Sequence, residues 1–70
     1  MKGIKISQAL AGYTRISYNG AEIAKHYLSA TIQGTREAFD IPEEEPVLSW
    51  LEINFAEEIK SIDESQYEEE

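Results

Sequence analysis

Carboxylates are the side chains best placed to do chemistry in this sequence, and thirteen of its fourteen lie at or after Glu37. Paired carboxylates can act as general acid and base, or wrap a divalent cation. A calcium loop needs alternating oxygen donors around a central glycine, and neither Asp40 to Glu45 nor Asp63 to Glu70 has that D-x-[DN]-x-[DN]-G spacing. Nucleophilic catalysis is no better served. The chain has no cysteine and no G-x-S-x-G elbow, and His26 is its one imidazole. Gly3, Gly12, Gly20 and Gly34 are too scattered to cradle a phosphate. The sequence therefore reads as a protein that is not an enzyme and uses no cofactor or metal.

What the carboxylates do offer is a field. Through Thr35 four cationic residues (Lys2, Lys5, Arg15, Lys25) stand against Glu22, a net of +3; from Arg36 onward Arg36 and Lys60 stand against thirteen acids, a net of −11. The overall charge of −8 repels free nucleic acid and anionic membranes and favours encounter with basic surfaces. The expected partner is a protein with a basic surface, of the kind that binds nucleic acid, with no direct contact to nucleic acid or membrane.

The elements that must position these charges follow from apolar spacing. Leu48, Leu51, Phe55, Ile59 and Ile62 recur at steps of three and four, which predicts one long acidic amphipathic helix over about 46–62. Pro46 suits its first turn, and Glu43, Glu44 and Glu45 suit the positive end of its dipole. That helix would turn Trp50 and Ile53 to the side opposite its core stripe, beside Glu57. Ile4 to Ile6 and Tyr13 to Tyr18 alternate as strands do, and Arg36 to Ile41 is a candidate short third strand.

Residues 20–33 support two readings. Asn19-Gly20 between apolar runs is a type I′ hairpin signal that sets Ile16 opposite Ile23. Alternatively Asn19 caps a helix with Glu22 at its third position, Ala24, Tyr27, Leu28, Thr31 and Ile32 inward, and Gly34 as the stop. On that helix His26 lies four residues after Glu22, as half of a solvated pair.

The fold class expected is α+β: a small antiparallel sheet from the N-terminal half, packed by one or two helices, in a single domain over 1–62. Residues 63–70, with five acids and one large side chain, read as a disordered acidic tail. A cysteine-free chain without a 7- to 15-residue apolar run near Met1, or the roughly 20 apolar residues of a membrane span, is expected in the cytoplasm.

Glu43, Glu44, Glu45, Glu52, Glu57 and Glu58 are the candidate partner-binding acids, with Trp50 and Ile53 as apolar anchors. Like charges so close together cost helix stability, and a row of carboxylates on a helix can occupy a groove built for phosphates. In size, acidity and lack of catalytic residues the chain resembles the small inhibitors encoded by phages and mobile elements, including DNA-mimicking anti-restriction and anti-CRISPR proteins. That resemblance is of class alone and implies no site residue. A second reading makes the protein an adaptor, antitoxin or small subunit that works through Trp50 and Ile53, with acidity serving solubility. A C2 homodimer would cover the same two residues.

Overall fold

In the computed structural model, residues 3–10 and 12–67 are described. Three strands, β1 (Ile4–Gln8), β2 (Thr14–Tyr18) and β3 (Ala21–His26), precede three helices, α1 (Ile32–Phe39), α2 (Val47–Asn54) and α3 (Ala56–Tyr67). The strands form one antiparallel sheet in the order β1-β2-β3, so the fold is α+β as the alternation predicts. Residues 68–70 of the predicted acidic tail lie outside the described residues, whereas α3 continues past Ile62 to Tyr67.

The hairpin reading of residues 20–26 is the one realised. Asn19 and Gly20 take φ of 55° and 88°, the left-handed pair that a two-residue type I′ turn requires and that Asn-Gly adopts most readily. The predicted register needs a correction. Tyr18 faces Ala21 and Ser17 faces Glu22, but a bulge between Ile16 and Ser17 sets Ile16 against Ala24 rather than Ile23. The extra residue inverts the alternation of β3 beyond it. Ala24 and His26 therefore share the core side with Ile16 and Thr14, and Lys25 turns outward opposite Arg15.

The alternative helix capped by Asn19 does not form, and the segment Arg36 to Ile41 is helical or helix-terminating rather than a strand. Thr31 supplies the cap instead. Its Oγ1 accepts the Gly34 N–H at 2.9 Å and its carbonyl accepts the Thr35 N–H at 3.0 Å, which satisfies donors that the first turn of α1 leaves open. Asp40 ends α1 in the left-handed conformation, φ 55°, and the Arg36 carbonyl receives the N–H groups of both Asp40 and Ile41. Gly34 thus sits inside the first turn and stops nothing.

The helices cover one side of the sheet. Ile16, Ile41, Val47 and Leu51 are the fully buried apolar residues, with Ile4, Ile6, Ile23, Ala24, Phe39, Trp50 and Phe55 packed around them. Phe39 joins the parts: its ring stands edge-on to His26 at 5.5 Å and to Phe55 at 6.0 Å, and lies 6.0 Å from Trp50. Such pairs add about 0.5–1.5 kcal/mol each beyond the area they bury.

The expected single helix over 46–62 is two helices. Phe55 leaves helical geometry at φ −113°, ψ 29°, so α2 ends there and α3 begins afresh at Ala56. The inward set of α2 is accordingly Val47, Trp50 and Leu51, while Leu48, expected inside, is 43% exposed.

Gly34 is held by its surroundings. A Cβ there would lie 2.5 Å from the Ser29 carbonyl oxygen and 3.1 Å from Ser29 Oγ and Thr31 Oγ1. Alanine in a helix is ordinarily favoured over glycine by about 1 kcal/mol. Here Gly34→Ala is expected to destabilise by about 1–3 kcal/mol, because backbone must move to admit the methyl group. A urea midpoint equal to or above that of the wild type would refute this.

Candidate functional site

The candidate acids occupy three places. Glu43, Glu44 and Glu45 lie in the turn between α1 and α2, Glu52 lies on α2, and Glu57 and Glu58 open α3; all six are exposed. The turn is fixed by a cation that its carboxylates do not bind. Arg36 Nη1 donates to the Pro42 carbonyl and, at 3.0 Å, to the Glu45 carbonyl, while Glu45 N–H closes back on the Pro42 carbonyl at 3.0 Å. The guanidinium thereby braces the backbone and leaves three carboxylates facing solvent. Among the described residues the one ion pair is Arg15–Glu22 at 3.7 Å, so none of the six acids is neutralised by direct pairing.

Part of this acidity has a local structural reason. Glu57 and Glu58 stand in the first turn of α3, where a negative charge gains about 0.3–1 kcal/mol from the helix dipole. Glu52 has no such reason. It borders a shallow cleft of about 360 Å³ together with Tyr18, Ile59, Lys60, Asp63 and Glu64. Tyr18 Oη donates to Asp63 Oδ2 at 3.3 Å across the floor of this cleft, tying the end of β2 to α3. Burial, that hydrogen bond and the nearby charges of Asp63 and Glu52 together hold the Tyr18 phenol above its ordinary pKa, so it remains a donor.

Of the two apolar anchors expected to point outward, one does. Ile53 is 69% exposed, but Trp50 is half-buried against Phe39. The break at Phe55 is the cause: without a continuous helix the apolar stripe need not pass through Leu48, and α2 turns so that Val47 and Trp50 enter the core. Ile53 and Leu48 are the apolar residues actually presented beside the acids.

His26 is the functional group that sequence reasoning misplaced. It is buried rather than paired with Glu22 on a solvated helix, and its tautomer follows from its neighbours. The Thr35 hydroxyl donates to the Thr31 carbonyl at 2.9 Å, so at 3.3 Å from the ring it accepts from His26 Nε2–H. Leu28 N–H donates to Nδ1 at 3.2 Å. The neutral ring is thus fully used, and a proton added at Nδ1 would face an N–H donor. The bulge places the ring there, and no residue pattern in β3 announces that bulge.

The outer face of the sheet went unnoticed as well. Tyr13 and Tyr27 pack at 4.6 Å between ring centroids, with their hydroxyls 2.8 Å apart, and Lys25 Nζ lies 5.3 Å from the Tyr13 centroid. The hydrogen bond to Tyr13 and burial raise the Tyr27 phenol, and Lys25 opposes them.

Compared with known protein families, curated proteins and solved structures, the chain matches none. Among the described residues no group of three or more His, Cys, Asp or Glu could hold a metal ion, and no helix is long and apolar enough to cross a membrane.

Burial lowers the His26 pKa from its ordinary 6.5. The unfolded chain therefore binds this proton more readily, and stability is lost as pH falls through 6.5 toward the folded value. The interval between about pH 7.5 and 5.5 spans the ordinary imidazole range, and comparison with a variant that lacks the ring singles out its share. Urea midpoints should fall across that interval in the wild type and stay level in His26→Gln. A wild type that gains stability on acidification to pH 5.5 would contradict the assigned tautomer.

Proposed function

We propose that this protein is a small non-enzymatic inhibitor that docks its acidic helical side on the nucleic-acid-binding surface of another protein, in the manner of a DNA mimic. The observation that carries the reading is the set of exposed carboxylates at Glu43 to Glu45, Glu52, Glu57 and Glu58, none of them ion-paired among the described residues. Two are accounted for by the dipole of α3. Glu43 to Glu45 stand just before α2, whose positive end favours them in part, but Glu52 has no such reason and the crowding of the acids raises local repulsion, which is the expected condition of a surface whose counter-charges arrive with a partner. The brace of Arg36 on carbonyl oxygens supports the same reading, because it orders the acidic turn in advance and lowers the entropic cost of binding. Duplex DNA presents one charge per roughly 1.7 Å of axis, and a groove built for that density accepts clustered carboxylates. Anti-restriction and anti-CRISPR inhibitors are the class of protein that works this way.

Ile53 at 69% exposure favours a second reading, an adaptor, antitoxin or small subunit that binds through an apolar contact of Ile53 and Leu48. Salt separates the two. Contacts dominated by charge weaken steeply between about 0.05 and 0.5 M salt, whereas an apolar contact is nearly indifferent.

The test is displacement of a labelled duplex from a panel of purified DNA-binding proteins. The wild type is expected to compete with at least one of them, and Glu52→Lys, Glu57→Lys and Glu58→Lys combined should weaken competition by about a hundredfold or more with the helical circular dichroism retained. Competition that persists unchanged at low salt in the triple variant would refute the mimicry. Competition abolished by Ile53→Ser but insensitive to salt would establish the second reading.

A further inference from the structure

The sheet has helices on one side only, and its other side is a surface of opposite character to theirs. The alternation that sends Thr14 and Ile16 into the core sends Arg15 outward, between Ser7 on β1 and Lys25 on β3. Lys5 joins them from β1, and all three cations are exposed. One acid, Glu22, offsets them through its 3.7 Å pair with Arg15. Beside the cations lies the Tyr13–Tyr27 pair, with Tyr27 75% exposed and Leu10 81% exposed. The face therefore combines positive charge with uncovered aromatic and aliphatic surface, the composition of a docking site for an anionic, partly apolar partner.

The same chain supplies such a partner. On the helical side Glu52 stands one turn after Leu48, 43% exposed, and next in sequence to Ile53, 69% exposed, with Glu57 and Glu58 opening α3, so each face has exposed apolar groups on an element whose charges are of opposite sign to those of the other. A polyanionic nucleic acid fits less well, since it would extend past three cations into the field of a molecule whose net charge is −8. We propose that the outer face of the sheet, through Lys5, Arg15, Lys25, Tyr13 and Tyr27, docks the α2–α3 side of a second copy of this chain. The two surfaces differ, so the contact is head to tail: it does not close in a pair but leaves a free face at each end.

The magnitudes set its salt dependence. The molecule is 19 Å across its shortest axis, so the net charges of stacked copies lie well beyond the Debye length of about 8 Å at 0.15 M salt but within the length of about 30 Å at 0.01 M. Repulsion between copies dominates at the lower salt. At about 1 M the length is about 3 Å and the pairing of opposite charges is itself screened. Association is strongest between those limits. It requires no foreign partner, and because it uses the same α2–α3 side that the preceding section assigns to one, the two contacts exclude each other on any one copy; self-association is measured on the chain alone, so either reading can fail without the other.

Sedimentation velocity on the full chain tests this. Between about 10 and 500 μM at 0.15 M salt, a range matched to a contact of few charges, the weight-average mass should rise past that of a dimer, and it should be lower at both salt extremes. Arg15→Gln with Lys25→Gln, and separately Glu52→Gln with Glu57→Gln, should each weaken association about tenfold or more. Mixed in equal amounts, the two double variants should form one-to-one dimers and nothing larger, since each retains the face the other lacks. Tyr27→Ser, at an exposed position outside the strands, provides a second route to the same loss should either double variant lose its circular dichroism signal. A wild type that stays monomeric throughout, assembly undiminished by Arg15→Gln with Lys25→Gln, or a mixture that remains monomeric would each overturn the proposal. So would binding of a fluorescent oligothymidine to this face, lost in Arg15→Gln with Lys25→Gln, by a chain that does not self-associate.

Discussion

A single inserted residue in β3 decides which side chains this protein hides and which it shows. Had the hairpin run evenly from Asn19-Gly20, Ile16 would face Ile23, Lys25 would share the core side with them, and His26 would point to solvent. The bulge between Ile16 and Ser17 reverses that assignment. It brings Ala24 against Ile16, where a small side chain leaves room for the helices, and delivers His26 to Thr35 and Phe39. It also moves a lysine out of a core that has no carboxylate to receive it. Burying that ammonium unpaired would cost several kcal/mol, on the order of the whole stability margin of a small domain.

From His26 the consequences pass to the helices. The imidazole joins the end of β3 to α1 through Thr35, and the Phe39 ring beside it reaches Trp50 on α2 and Phe55 at the break. A core whose fully buried apolar residues number four among the described residues depends on these half-buried rings, each of which adds contact area that the aliphatic centre lacks. Charge is sorted along the same architecture: cations on the uncovered side of the sheet, carboxylates on the helices and the turn before them. Glu22 on the sheet and Arg36 and Lys60 on the helices are the exceptions to this sorting among the described residues.

Much of this was legible in the residues, and what was not has definite causes. Period-two alternation in β1 and β2, the Asn-Gly turn and the acidic amphipathic pattern after Pro46 all correspond to elements observed. The bulge was not legible, because either parity of β3 places an apolar residue, Ile23 or Ala24, toward the core. The break at Phe55 was concealed by the spacing of Leu51, Phe55 and Ile59, which continues at steps of four across it. Trp50 was placed on the wrong side as a direct result. For α1, Gly34 and Thr35 give weak helical propensity, and its start depends on the Thr31 cap and the close contact of Gly34 with Ser29. The positions of Glu52, Glu57 and Glu58 on exposed helix surface follow from polarity and that of Ile53 from its place across the helical period from Leu51, whereas the bracing of Glu43 to Glu45 by Arg36 is a tertiary fact.

The interruption at Phe55 divides the acidic half into two units of unequal standing. The first, α2, contributes Val47 and Leu51 to the fully buried core, whereas among the described residues α3 contributes none to it and meets the sheet through partly buried contacts such as Tyr18 with Asp63. Local opening is cheapest where buried contact is least. The terminal helix can therefore unwind and re-form while the strands, α1 and α2 remain folded, and its amide protons exchange with solvent through that opening long before those of β2. The carboxylates after Phe55 are thus carried on the element with the least buried anchorage, while Glu52 sits on a helix that reaches the core.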